Sequence, residues 1–313
     1  MSRNLSTSLD RRKAAGKLKQ NLRGYAVMTP GLVLFSFFVW IPLAYAIVMS
    51  FSVTKAANIV GFAGFDNYVE LFSLPEFSIA FKNTFVYLGW SLLFGFLLPV
   101  VIGLVLSEVI HFKGLFRIGI YFPAALAGIT VSILFTFLFD PSSAGFLNNI
   151  LEGLGQEPIL WLDDPDMAIP LIVICMTWRG AGSTALIYLA AFNQIDTAYY
   201  EAARIDGAGA WSRVVHITLP GIIPSMTVLF VLQVISVMQV FYEPLVMTNG
   251  GGADGSSLSL LLLAYNLSFG KSGGGFEMGT GAACMVTLAL IIAVLSAFYF
   301  ALVAFLKKRG YRV

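Results

Sequence analysis

Long apolar runs alternate along this chain with shorter polar ones. Six runs, at about 29–53, 84–109, 115–139, 169–190, 219–247 and 281–306, reach the ~20 apolar residues that a helix needs to cross a ~30 Å hydrocarbon layer. The alternating pattern of a membrane barrel strand is absent. The pattern predicts an all-α membrane protein with six transmembrane helices. The first run is too long for a signal-peptide core and no small-residue cleavage site closes it, so it reads as an uncleaved anchor. Pro42 lies inside the first run and Pro123 inside the third. A proline removes one N–H and crowds the carbonyl four residues earlier, so both should kink or interrupt their helices unless neighbours re-satisfy the freed groups.

Composition supports the same class. Of 313 residues, 58% are hydrophobic and 12% charged, about half the ~25% charge of a soluble domain. Cys175 and Cys284 both sit inside apolar runs and read as small core or lipid-facing residues, not as a disulfide or a metal pair. Net charge is only +2, so its distribution carries the information. The basic arm 1–28, the turn at 110–117, the segment 191–218 and the tail 307–313 hold 15 of the 19 Lys and Arg residues. The loops 54–83, 140–168 and 248–280 hold Lys55, Lys82 and Lys271 and most of the acids. By the positive-inside rule both termini and the 191–218 segment are expected in the cytoplasm. The Lys/Arg cluster at 11–23 lies just before a span, which points to topology and attraction to anionic membrane lipid rather than to nucleic acid.

Chemistry-bearing motifs are scarce. Gly270-Lys271-Ser272 ends like a phosphate-binding loop, but Tyr265 stands where its first glycine belongs. No HExxH, no CxxC and no paired carboxylates on a common helix occur, so no catalytic residue, cofactor or metal is expected. The glycines at 250–252 and 273–275 read as flexible or tightly turned loop backbone. Asn266-Leu267-Ser268 fits a glycosylation pattern that means little in a bacterial host. Polar groups at span depth are more telling. On a continuous fifth helix, Gln233, Ser236, Gln239 and Glu243 would share roughly a third of the circumference. Such a stripe faces the bundle interior or an aqueous path, though the glutamines serve equally as helix–helix hydrogen bonds. Trp178 and Arg179 are the other path candidates. Arg179 can pair with an acid or snorkel to the surface. Trp178, Tyr242 and Tyr265 can stack on sugar faces or belong to an interfacial aromatic belt.

The most informative stretch between the runs is Glu201–Pro224, EAARIDGAGAWSRVVHITLPGIIP. Asp196 or Thr197 can cap a short helix starting near Ala198. Glu201 and Arg204, three apart, can support each other on it. Ala202 and Ala203 keep the surface low enough for close approach by another protein. Gly207 permits a sharp redirection, and Pro220 falls near the first turn of the following span, where a missing N–H costs little. An amphipathic linker lying on lipid headgroups is the plainer alternative, and the modest basicity of the stretch does not favour it.

Glu201, Ala202, Ala203, Asp206, Gly207, Ala208, Ile217, Leu219 and Pro220 together resemble the EAA motif of membrane subunits of binding-protein-dependent ABC importers; Val214 stands where Phe is common. Asn67-Tyr68, Phe77, Asn83 and Thr84 resemble the loop before the second span in the sugar-importing branch. Thr248-Asn249-Gly250-Gly251-Gly252 with Tyr265 and Phe269 resembles that branch's Thr-x-Gly-Gly loop, without its usual proline. The likeness covers nearly the whole chain and is greatest to MalF- or UgpA-type permeases of the MetI-like superfamily. It implies a MetI-like permease fold and a non-enzymatic role as half of a carbohydrate path in a bacterial or archaeal cytoplasmic membrane. It implies as partners a second permease subunit, two cytoplasmic ABC ATPase subunits and an extracytoplasmic solute-binding protein. The EAA residues would then couple ATP-driven motion to the spans. Glycerol-phosphate or a polyol is the alternative cargo, and an ion-driven secondary transporter the alternative class. No internal repeat of the kind many secondary transporters carry is evident.

Overall fold

The computed structural model describes residues 24–108, 112–270 and 277–309. Most of the basic arm, residues 109–111 of the second turn, Lys271, the glycines at 273–275 and the tail beyond Arg309 lie outside the described residues.

Helix α1 (Gly24–Ser50) leads into a hairpin of β1 (Ser52–Lys55) and β2 (Asn58–Phe62), then the short α2 (Asp66–Ser73). Helix α3 (Pro75–Ser107) follows, then α4 (Lys113–Ala125), α5 (Gly128–Leu138) and α6 (Phe146–Gly153). Next come α7 (Pro165–Phe192) and α8 (Thr197–Ile205). Helix α9 spans 210–238, and α10 (Tyr242–Met247), α11 (Leu260–Phe269) and α12 (Met278–Lys308) complete the chain. Five helices are long and apolar enough to cross a membrane, and α4 with α5 makes a sixth span if that pair, bent by 92°, is taken as one. The bend is not at Pro123 itself. It falls at Leu126 and Ala127, both extended, just beyond the last turn.

Three other prolines do not break their helices. Pro42, Pro99 and Pro220 are each preceded by a π-helical turn, at Ser36–Trp40, Leu92–Phe96 and Val214–Thr218. The carbonyl that each ring would strike belongs to Phe38, Gly95 or His216, inside that widened turn. The extra residue per turn moves the carbonyl aside, so the helix continues. This corrects the sequence expectation at two places. Pro42 lies within an uninterrupted α1. Pro220 is not in a first turn, because α9 already begins at Ala210, within the segment read from sequence as a loop.

Helix α7 is the axis of the bundle: half of its apolar window is buried, against 6% in α1. Its Ile169, Ile172 and Val173 join Tyr87 of α3, Val131 and Phe135 of α5 and Val237 of α9 in one core. A second core joins Leu71 of α2 and Leu260–Ala264 of α11 to Ala283, Cys284 and Leu288 of α12. Small residues set the closest approaches. A Cβ on Gly182 of α7 would collide with the Ile120 carbonyl of α4. The stretch 248–280, read from sequence as loop, contains α11, which buries Leu260 and Leu262–Ala264 and, at ten residues, is too short to span.

Candidate functional site

The Glu201–Pro224 stretch is built as a capped helix standing clear of the bundle. Asp196 takes extended backbone angles and its carboxylate accepts from Ala198 N–H at 2.9 Å, starting α8. The helix ends at Asp206-Gly207-Ala208. Gly207 is left-handed, with φ +78°. Its N–H donates to the Arg204 carbonyl at 3.1 Å and the Ala208 N–H reaches back to the Ala203 carbonyl at 2.8 Å. These two bonds form the Schellman arrangement, which satisfies carbonyls left free at a helix end and requires a residue at ease with positive φ. The Asp-Gly-Ala of the motif is therefore a helix stop.

Two contacts tie this unit to α9. Arg213 Nη1 donates to the Ala208 carbonyl at 2.7 Å, and Tyr200 Oη and Thr218 Oγ1 share a hydrogen bond at 3.0 Å. Ile195 packs against bare Gly221, where a Cβ would sit 2.7 Å from its Cδ1. Tyr200, Ala203, Ala208 and Pro220 are half-buried on this inner side, while Glu201, Ala202, Asp206 and Gly207 are exposed. So are Tyr199, Ile205 at 87% and Trp211 at 77%. Glu201 and Arg204 form no ion pair.

The path candidates separate into different environments. Gln233 is held inside: its Nε2 donates to Ser91 Oγ on α3 at 2.5 Å, in space left by Gly95. Ser236 and Gln239 are exposed on α9. Glu243 does not continue their stripe, because the chain breaks at Val240 and Phe241 and restarts as α10. Ser259 Oγ donates to the Val240 carbonyl at 2.6 Å and so covers the broken end. Glu243 is buried, and its Oε1 lies 3.8 Å from Nη2 of Arg179 on α7, with the two side chains 4% and 31% exposed. The guanidinium also sits 5.5 Å from the Tyr242 ring centre. Trp178 is exposed beside it and packs on Phe135. Tyr265 lies apart, packed between Phe241 and Phe269. Among the described residues no cluster of His, Cys, Asp or Glu could hold a metal ion.

Sequence reasoning did not foresee how the glycine loop is held. Asn249, Gly250, Gly251 and Gly252 all have positive φ, so the loop is tightly turned. Asn83 Nδ2 donates to the Gly255 and Leu258 carbonyls, and Tyr87 Oη to the Ser257 carbonyl at 2.9 Å. Thr84 Oγ1 accepts from Leu260 N–H at 3.0 Å. The signal was a polar cluster at 83, 84 and 87 on one face of an apolar helix.

An apolar bundle around one buried helix, with an exposed capped helix at one end and an ion pair at span depth, defines a polytopic membrane transport subunit. The chain belongs to the family described as binding-protein-dependent transport system inner membrane component, whose model matches residues 95–310. It is an ABC importer permease of the MetI-like superfamily, and its role is transport rather than catalysis. The lactose transport system permease protein LacF of Rhizobium radiobacter is 34% identical over 80% of this chain and 84% of its own length. The arabinooligosaccharides transport system permease protein AraP of Bacillus subtilis is 29% identical over 87% and 85%. Among solved structures, a chain of a bacterial ABC transporter that imports the acidic polysaccharide alginate is similar. It superposes with a TM-score of 0.79 at 27% identity, covering 93% of this chain and 98% of that one.

Proposed function

We propose that this chain forms half of the path by which an ATP-driven importer carries a carbohydrate across a bacterial or archaeal cytoplasmic membrane. A second permease subunit supplies the other half. Two cytoplasmic ABC ATPase subunits drive the pair, and an extracytoplasmic solute-binding protein delivers the cargo. Both termini and α8 face the cytoplasm, following the charge distribution. The observation that carries the coupling role is the exposed surface of α8 and the start of α9: Tyr199 and Ile205 on α8 and Trp211 on α9 are open to solvent, as are Glu201 and the low-profile Ala202. Large apolar side chains grouped this way mark a protein-binding surface.

Glu201 and Ala202 seat the helix on the ATPase, with Ala203 on its inner side; Asp206, Gly207 and Ala208 end it; Pro220 sits where α9 carries the motion into the membrane. The Arg213 and Tyr200 contacts make α8 and α9 one mechanical unit, so movement of the partner is delivered to the span and not absorbed by a loose loop. Ser236, Gln239, Trp178 and Arg179 offer hydroxyl, amide, aromatic and guanidinium surface to a sugar. Gln233 and Glu243 hold that surface in place from behind. Carbohydrate cargo follows from the relatives, whose names specify lactose and arabinooligosaccharides.

The test is uptake into liposomes containing this chain, its mate and the ATPase, with binding protein outside and ATP inside. Radiolabelled oligosaccharide should enter only when every component is present. Uptake by this chain alone, driven by an ion gradient, would overturn the proposal.

A further inference from the structure

The segment between the first two spans reads as a polar loop, yet α2 carries three distinct faces. At 3.6 residues per turn, Asn67, Tyr68 and Leu71 share the side that packs inward. Leu71 is fully buried, and Asn67 Nδ2 donates to the Ser50 and Ser52 carbonyls. Asp66, Glu70 and Ser73 share a second, polar side. Phe65, Val69 and Phe72 share the third and are exposed, Val69 by 68%.

This third face continues a larger surface. Phe72 packs against Phe77, Phe77 against Phe81 and Phe81 against Phe85, with ring centres 5.0 to 6.1 Å apart. The aromatic ladder runs from α2 onto the outward side of α3. There Phe81, Phe85, Leu93, Leu97, Val101 and Val105 are all exposed. An exposed surface that stays apolar along a span is what hydrocarbon accepts. Lys82, exposed beside Phe81, marks the level where charge first becomes tolerable. Helix α2 joins α3 at that end, opposite the end that leads to α4 and Arg117.

We propose that α2 lies in the membrane interface with Phe65, Val69 and Phe72 inserted at the boundary of headgroups and acyl chains, as a lipid-seated collar on the end of the bundle remote from α8. A helix with one side on protein, a polar side whose Glu70 accepts from Thr280 of α12, and an apolar side still exposed where Phe65 meets Phe51 and Phe72 meets Phe77 has a stable place at that boundary. The ladder to α3 and the Asn67 bonds to the end of α1 fix its depth relative to the spans.

The test uses the full chain reconstituted in phosphatidylethanolamine–phosphatidylglycerol liposomes. Nitroxide labels go on V69C, F72C, D66C and L93C in turn. The native Cys175 and Cys284 are buried, and the labelled unsubstituted chain supplies the background. Power-saturation spectroscopy compares collisions with oxygen, which concentrates in lipid, and with a water-soluble nickel complex. The ratio of oxygen to nickel accessibility is expected to exceed one at V69C and F72C, as at L93C, and to fall below one at D66C. Nickel-dominated values at V69C and F72C would place the face in water and overturn the proposal. So would shielding from both reagents, which would assign the face to another protein. Should V69C fail to reconstitute, F72C carries the same decision.

Discussion

Replacing Gly207 separates two ways in which the coupling stretch could fail. A Cβ built on Gly207 meets nothing within 4 Å, so bulk is not the obstacle within this chain. The obstacle is φ at +78°. An L-residue held there costs about 1–2 kcal/mol, and a β-branched one more. The alternative is to leave the left-handed region, which forfeits the bonds to the Arg204 and Ala203 carbonyls at 3.1 and 2.8 Å, together worth about 2 kcal/mol at roughly 1 each. The damage is therefore capped near 2 kcal/mol. That suffices to fray the last turn of α8, since about 1.4 kcal/mol is a tenfold population shift, yet leaves the membrane core untouched. Gly207→Val should insert normally, lose hydrogen-exchange protection at the Ala208 amide, and lower ATP-coupled uptake by about tenfold or more. Gly207→Asn, which tolerates positive φ, should retain most protection and most uptake. Wild-type transport by Gly207→Val would refute the coupling assignment. Equal loss in both variants would refute the backbone argument and point to steric contact with the partner.

Three further outcomes follow from the geometry. Arg179→Leu leaves the 4%-exposed Glu243 without its cation, which should cost about 3 kcal/mol and lower the thermal midpoint in detergent; adding Glu243→Gln should restore much of it, and an unchanged midpoint in the single variant would show that the pair is not coupled. Gly182→Ala should drive α4 from α7 through the Ile120 carbonyl and cost about 1–3 kcal/mol, read as a lower midpoint, whereas Gly180→Ala, with open space around it, should be near neutral. The Ser142 hydroxyl and N–H bonds, at 2.5 and 2.8 Å, hold the Asp140 carboxyl below the ordinary carboxylate range. Because the folded pKa is the lower one, this support is fully present above the ordinary value and is lost as pH falls through the folded value. A carboxyl carbon-13 titration should therefore show the Asp140 pKa rising in Ser142→Ala, which keeps the N–H bond, and no change would refute the hydroxyl bond as a cause.

The helical class and the long apolar helices were legible because crossing hydrocarbon demands long apolar runs whatever their neighbours do. The α8 caps were legible as well: Asp196 starts the helix and Gly207 stops it through bonds to residues a few positions away. The hairpin after α1 and the part-buried α11 were not, since Thr54 of the hairpin is held by Gly279 of α12 and α11 by Thr84 of α3, each distant in sequence. Helix α11 fell inside the stretch 248–280 counted as loop because ten residues cannot span, and packing against other helices is what makes a short apolar helix stable.

The prolines mark the same boundary. Sequence places Pro42 and Pro123 inside apolar helices and says that each removes a donor. Only the folded chain decides between a π-turn before Pro42 that lets the helix run on and a 92° bend just beyond Pro123 that ends it. The stripe from Gln233 to Glu243 failed for a related reason. Its phase held as far as Gln239, where Ser259, twenty residues on, binds the Val240 carbonyl and α10 turns Glu243 toward Arg179. The sequence by itself determined what must be buried in lipid, which end carries positive charge and where α8 begins and ends, because hydropathy, charge and capping act locally. Tertiary structure decided which polar groups meet and which remain open, because in a membrane each unsatisfied group must find its partner on another helix.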